Sequence, residues 1–266
     1  MVRENVKKAK RVIVKVGTSS LVYSTGAMNL KAIDDLAFVL SDLVHKGYEV
    51  ALVSSGAMGA GLSKFGLDKR PKEIAMQQAV ASVGQMELMN IYNARFSSYN
   101  QVIGQVLLTQ DVFEYPESRK NVTNTFEMLF KEKIIPIINE NDTVSVDELD
   151  HETKFGDNDK LAALVTNLTD ADLLIMLSDI DGFYSDNPLT NKRAKLISHV
   201  PKITDEIMKQ AGGSGSRFGT GGMLSKLECA KLLLNNEKGM ILTSGVEPRV
   251  LFDVVAGEEI GTFFGK

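Results

Sequence analysis

Six short runs along the chain are apolar almost residue by residue: RVIVKV at Arg11–Val16, EVALV at Glu49–Val53, Val102–Leu108, IIPII at Ile134–Ile138, DLLIML at Asp172–Leu177, and Gly239–Leu242. A strand with one face in water alternates apolar and polar residues, whereas a strand apolar throughout is covered on both faces. Such runs, separated by longer helical stretches, specify an α/β chain: a largely parallel sheet with helices above and below. The intervening segments fit. Asn29 can cap a helix running to about His45, with Gly47 as its terminator, and Pro71 opens another that reaches about Phe96. Glu117 to Lys133 and Asn158 to Leu168 have helical periodicity as well. No proline- or serine-rich linker divides two compositions and no repeat recurs at a fixed period, so residues 1–266 read as one unit.

Composition narrows the function classes. Of the 266 residues, 44% are hydrophobic and 24% charged, which allows a sizeable core. A net charge of −4 argues against nucleic acid, whose partners usually carry a basic stripe. The single cysteine, Cys229, has no internal partner for a disulfide, which suits a reducing compartment and makes the cytoplasm the expected location. The N-terminal apolar run is short and broken by Lys15, so neither a signal peptide nor a membrane span is expected.

In parallel sheets ligands sit beyond the carboxyl ends of the strands. Lys15 and Gly17-Thr18-Ser19-Ser20 end the first run, and Ser54-Ser55-Gly56-Ala57-Met58-Gly59 follow the second. IIPII leads into Asn139-Glu140-Asn141-Asp142, and DLLIML into Ser178, Asp179, Asp181 and Gly182. Four ends rich in glycine, hydroxyl, amide and carboxylate point to one shared polar site. Lys15, near the end of a covered strand, is too costly to bury alone, and the small residues after it would let an anion approach its ammonium.

GSGSRFGTGGMLSK, residues 213–226, runs into a helical stripe of Met223, Leu227, Ala230 and Leu234. A glycine-rich turn opening a packed helix offers unpaired N–H groups to an anion. It is not a Walker A loop, since no GxxxxGK[ST] occurs in the chain, and the spacing of Gly56, Gly59 and Gly61 is not that of a dinucleotide fingerprint. Lys226 falls in the first turn of that helix, where the macrodipole disfavours a cation unless an anion lies before Gly221 and Gly222. Eight carboxylates lie between Glu140 and Asp159. Asp147, Glu148, Asp150 and Glu152 read as a solvated flap, and His151 takes no role. Asp142 follows a strand, and Gly156-Asp157-Asn158-Asp159 precedes a helix. Those are the candidates for chemistry. Asp157-Asn158-Asp159 lacks the glycine and distal glutamate of an EF-hand, and no protein metal site is expected.

Six motifs together carry a resemblance over nearly the whole chain: VKVGTS (14–19), VSSGAMGAG (53–61), INENDTV (138–144), FGDNDKLAALV (155–165), SDIDGFY (178–184) and GTGGMLSK (219–226). In this order they resemble the glutamate 5-kinases of the amino acid kinase family. The resemblance implies a three-layer αβα sandwich on a mainly parallel sheet. It implies ATP-dependent phosphorylation of the γ-carboxylate of L-glutamate, the first step of proline synthesis, with Mg²⁺ on the nucleotide. It also implies proline as feedback inhibitor, a homo-oligomer, and no role for membrane or nucleic acid.

By the same likeness Lys15 and Lys226 bridge the transferring phosphoryl group and Asp159 holds them. Ser55, Gly56, Asn139, Asp142, Asp157 and Asn158 form the glutamate site, mainly in the N-terminal part. ATP takes Lys15, Ser178, Asp179 and the run Thr220, Gly221, Gly222, Met223, Leu224, Ser225 and Lys226, mainly in the C-terminal part. Many members carry a C-terminal PUA domain, which is not expected in a chain ending GTFFGK. The alternatives are a kinase of the same fold acting on another carboxylate, a carbamate or a nucleotide monophosphate, and a non-catalytic sensor. Two lysines beside an aspartate favour catalysis.

Overall fold

A computed structural model of the chain describes residues 3–144, 158–188, 190–211 and 222–266. In chain order the elements are α1 (Glu4–Lys8), β1 (Arg11–Val16), α2 (Thr18–Leu21), α3 (Leu30–His45), β2 (Glu49–Ser54), α4 (Ala57–Phe65) and α5 (Ile74–Ser97). Then come β3 (Ile103–Leu108), α6 (Asp111–Glu114), α7 (Pro116–Lys131), β4 (Ile135–Glu140), α8 (Asn158–Leu168) and β5 (Leu173–Ser178). The chain finishes with β6 (His199–Val200), α9 (Asp205–Ala211), α10 (Met223–Leu234), β7 (Gly239–Ser244), α11 (Val250–Val255) and β8 (Thr262–Phe264).

The strands form one sheet in the order β3-β4-β2-β1-β5-β7-β8-β6, and every described pairing is parallel except β7 with β8. Strand parity divides the core. Val12, Val14 and Val16 of β1 pack with Leu36 and Leu40 of α3, Leu88 and Phe96 of α5, and Leu251 of α11. Ile13 packs on the other side with Phe126 of α7, Leu161 and Val165 of α8, and Leu227 of α10. This is the αβα sandwich that the sequence implies.

Two expectations need correction, and one helix was not anticipated. The third apolar run is not covered on both faces: β3 lies at the sheet edge beside β4 and most of its residues are only half-buried. The helix expected from Pro71 begins at Ile74, and the Pro71 carbonyl instead accepts a hydrogen bond from Gln77 Nε2. The glycine-rich stretch after β2 is helical, α4, entered through Gly56 at φ +105° and left through Gly66 at φ +64°. The left-handed conformation at both ends is one that glycine adopts without steric cost. Strands β6 and β8 were not legible, because two or three residues show no periodicity.

Helices α4 and α5 pack closely enough that glycine is required between them. A Cβ at Gly84 would overlap the Ala57 carbonyl oxygen, and one at Gly61 would overlap that of Val80. Both clashes are with backbone. Gly84→Ala is therefore expected to cost roughly 1–3 kcal/mol as overpacking and to displace the start of α4, checked by the melting temperature. Among the described residues no helix is long and apolar enough to cross a membrane.

Candidate active site

Lys15 is the last but one residue of β1 and shares the parity of Ile13, so its side chain enters the side of the sheet covered by α8 and α10. Asp159 is the second residue of α8 and Lys226 the fourth of α10. All three are buried, Asp159 completely. The Lys15 ammonium pairs with Asp159 Oδ1, and Lys226 Nζ donates to Oδ2 at 3.1 Å. Ser225 Oγ lies 3.5 Å from the same oxygen. One carboxylate thus binds two ammonium groups that are 211 positions apart in the chain. Gly17 leaves the approach narrow but open, since a Cβ there would sit 3.5 Å from Lys15 Nζ. Lys226 does stand in the first turn of its helix, and Asp159 supplies an anion that offsets the unfavourable dipole.

Burial alone would raise the Asp159 carboxyl, but the charges and hydrogen bonds of Lys15 and Lys226 outweigh it, and the group lies below its ordinary value. The sign follows from linkage. A depressed carboxylate adds stability that is complete above the unfolded value, about pH 4, and is lost as pH falls through the folded value. The acid limb of a stability-versus-pH profile should therefore become shallower in Asp159→Asn than in the parent protein, as read by denaturant melts between pH 3 and 6.

A second cluster is built of amides. Asn158, the first residue of α8, donates through Nδ2 to Ser55 Oγ at 2.9 Å, to Asn139 Oδ1 at 3.0 Å and to the Ser54 carbonyl at 3.3 Å. Asn139 is buried on β4 and donates to Gln85 Oε1 at 2.9 Å. Ser54, which ends β2, is held by the buried Tyr92 hydroxyl at 2.7 Å. Burial pushes that phenol well above its ordinary range, although its bond to Ser54 opposes the shift. Gly56 is buried beside Leu21. Asp142 is half-buried in the turn after β4.

On the other side, Ser178 ends β5 and donates to the exposed Asp179 at 2.9 Å. Gly222 immediately precedes α10, whose first residues are the buried Met223 and the exposed Leu224. Three sequence-predicted residues, Asp157, Thr220 and Gly221, lie outside the described residues. The remainder collect at the carboxyl ends of β1, β2, β4 and β5 and the first turns of α8 and α10. Gln85 and Tyr92 were missed. They sit two turns apart on the buried stripe of α5, where a polar residue among Gly84, Leu88 and Phe96 was the available signal.

The chain matches the model of the amino acid kinase family over residues 10–244. It belongs to that family. It is 61% identical to the glutamate 5-kinase of Enterococcus faecalis, over 99% of this chain and 97% of that one. With the glutamate 5-kinase of Lactiplantibacillus plantarum it shares 59% identity over 97% of each chain. More distant amino acid kinase folds superpose as well. The UMP kinase of Ureaplasma parvum gives a TM-score of 0.64 at 17% identity, covering 97% of this chain and 99% of that one. The isopentenyl phosphate kinase of T. acidophilum gives 0.60 at 18%, covering 95% and 99%. These two establish the fold alone. Within the family, this amino acid kinase stands with the glutamate 5-kinases.

Proposed function

We propose that this amino acid kinase transfers the terminal phosphoryl group of MgATP to the γ-carboxylate of L-glutamate, giving L-glutamyl 5-phosphate for proline synthesis. The observation that carries the chemistry is one buried carboxylate holding two buried lysines at the strand ends. The attacking carboxylate has a reference pKa of about 4.3 and is ionised at neutral pH, so no general base is needed. The obstacle is charge. An anion must approach a polyanion, and such transfer depends mainly on positioning and electrostatic stabilisation. Lys15 and Lys226 would bridge the phosphoryl oxygens, while Asp159 keeps both ammonium groups aimed without neutralising them. Backbone N–H groups at the start of α10 would add to the effect.

Among the described residues no group of three His, Cys, Asp or Glu is placed to hold a metal ion. Mg²⁺ would enter on the ATP phosphates as part of the substrate. Glutamate would lie over Ser55, Gly56 and Asn139. Its ammonium would be received by Asp142, Asp157 and the Asn158 carbonyl. An acylated amino group lacks that charge, so the free amino acid is preferred. Proline inhibition, a homo-oligomeric assembly and a cytoplasmic location beside ATP and free glutamate belong to the same proposal.

The test is an assay with ATP, Mg²⁺ and glutamate, trapping the acyl phosphate as its hydroxamate. N-acetylglutamate and UMP serve as competing acceptors, with ADP release read alongside because UDP forms no hydroxamate. Hydroxamate with glutamate alone supports the reading, and turnover of another acceptor without glutamate turnover refutes it. Asp142→Asn should raise the glutamate KM about tenfold, the scale of one charged hydrogen bond. The ATP KM should hold. If both constants rise together, Asp142 does not belong to the amino acid pocket.

A further inference from the structure

We propose that Gln85, which lies in none of the sequence motifs, is a positioning residue for the amino acid substrate: by accepting from Asn139 it holds the amides of Asn139 and Asn158 in the orientation that the backbone sets. The inference rests on the glutamate reading above. A carboxamide can present either end to a neighbour, so a row of amides needs one fixed partner to set its polarity. Here that partner is the backbone N–H of Glu140, which can only donate and which reaches Asn139 Oδ1 at 2.9 Å. The same oxygen accepts from Asn158 Nδ2 at 3.0 Å. Asn139 Nδ2 must then donate on its other side, and it meets Gln85 Oε1 at 2.9 Å. Reversing Gln85 would set one NH₂ group against another. Reversing Asn139 would set its NH₂ against two donors.

The polarity propagates to the pocket. With Nδ2 of Asn158 committed to Asn139, Ser55 and Ser54, its Oδ1 is left as the acceptor for the substrate ammonium. Parity and helix period explain the meeting. Asn139 shares the strand face of Ile135 and Ile137, which pack with Leu88 of α5, and Gln85 lies one turn before Leu88. The arrangement works against stability. Gln85 is about nine-tenths buried, and its Nε2 has no acceptor among the described residues. A buried N–H without a partner weakens a fold, and an apolar side chain of similar size would avoid that loss. The part of Gln85 that is used is its oxygen.

Gln85→Met keeps the side chain's length and removes both polar atoms. It should raise the glutamate KM tenfold or more, leave the MgATP KM within twofold, and leave the melting temperature unchanged or higher. Gln85→Glu retains an oxygen facing Asn139 and should keep the glutamate KM within about threefold of the parent. A glutamate KM for Gln85→Met within twofold of the parent would overturn the inference. So would a parallel rise in both KM values, or a Gln85→Glu protein as impaired as Gln85→Met. Should Gln85→Met not fold, Gln85→Glu decides by the same threefold limit. If the parent protein itself does not phosphorylate glutamate, the proposed function fails instead.

Discussion

In Asp159→Asn both stability and turnover are expected to fall, and for one reason. Asp159 is the common counter-ion of two buried ammonium groups, and an asparagine removes the charge that they share. Breaking a buried pair from one side costs roughly 3–5 kcal/mol. At 2–4 °C per kcal/mol for a chain of this size, the melting temperature should drop by roughly 10 °C. The lysines would also repel each other and leave their positions, so kcat should fall at least about 10³-fold, the scale of losing a preorganised charge at a phosphoryl group. A second substitution distinguishes the two effects. Lys15→Met on the Asp159→Asn background removes one stranded charge and should restore part of the lost stability with no return of activity. If Asp159→Asn melts and turns over like the parent, the three-residue cluster has no role in either.

Lys15→Met or Lys226→Met should behave differently. Either change leaves Asp159 paired with the other lysine, a neutral couple, so the folded state loses little and the melting temperature should move by only a few degrees. Catalysis should not be spared. At about 4 Å and an effective dielectric near 20, one unit charge acting on another is worth about 4 kcal/mol. That corresponds to about three powers of ten in rate. We expect kcat to fall about 10³-fold for each, with glutamate and ATP binding altered less than tenfold. Equal loss in kcat and in binding would count against a role at the migrating phosphoryl group. Arginine at position 15 should not rescue, because its planar fork needs more room than the ammonium has beside Gly17 and Asp159.

The two clusters were legible to different degrees. Lys15 stood out as a charge on a strand that must be covered on both faces, and Lys226 as a cation in the wrong turn of a helix. Each is a local conflict, visible without knowing the neighbours. Asp159 was named from its motif, yet nothing local distinguished it from Asp157 two residues earlier in the same acidic run. Gln85 had no signal except its place in an apolar stripe, and glutamine is ordinary in helices. Its role depends on a neighbour 54 positions away.

By itself the sequence determined the layered α/β architecture, because covered strands and amphipathic helices are set by residue type and period, which are local properties. It determined the family as well, through short strings that retain their order along the chain. Only the tertiary structure decided which of the strand-end residues touch. Sheet order placed β1 beside both β2 and β5, parity turned Lys15 toward α8 and α10, and the packing of α5 on the opposite face brought Gln85 to Asn139. Those contacts join residues far apart in the chain, and ion pairs and hydrogen bonds act only over a few ångströms, so only folding sets them.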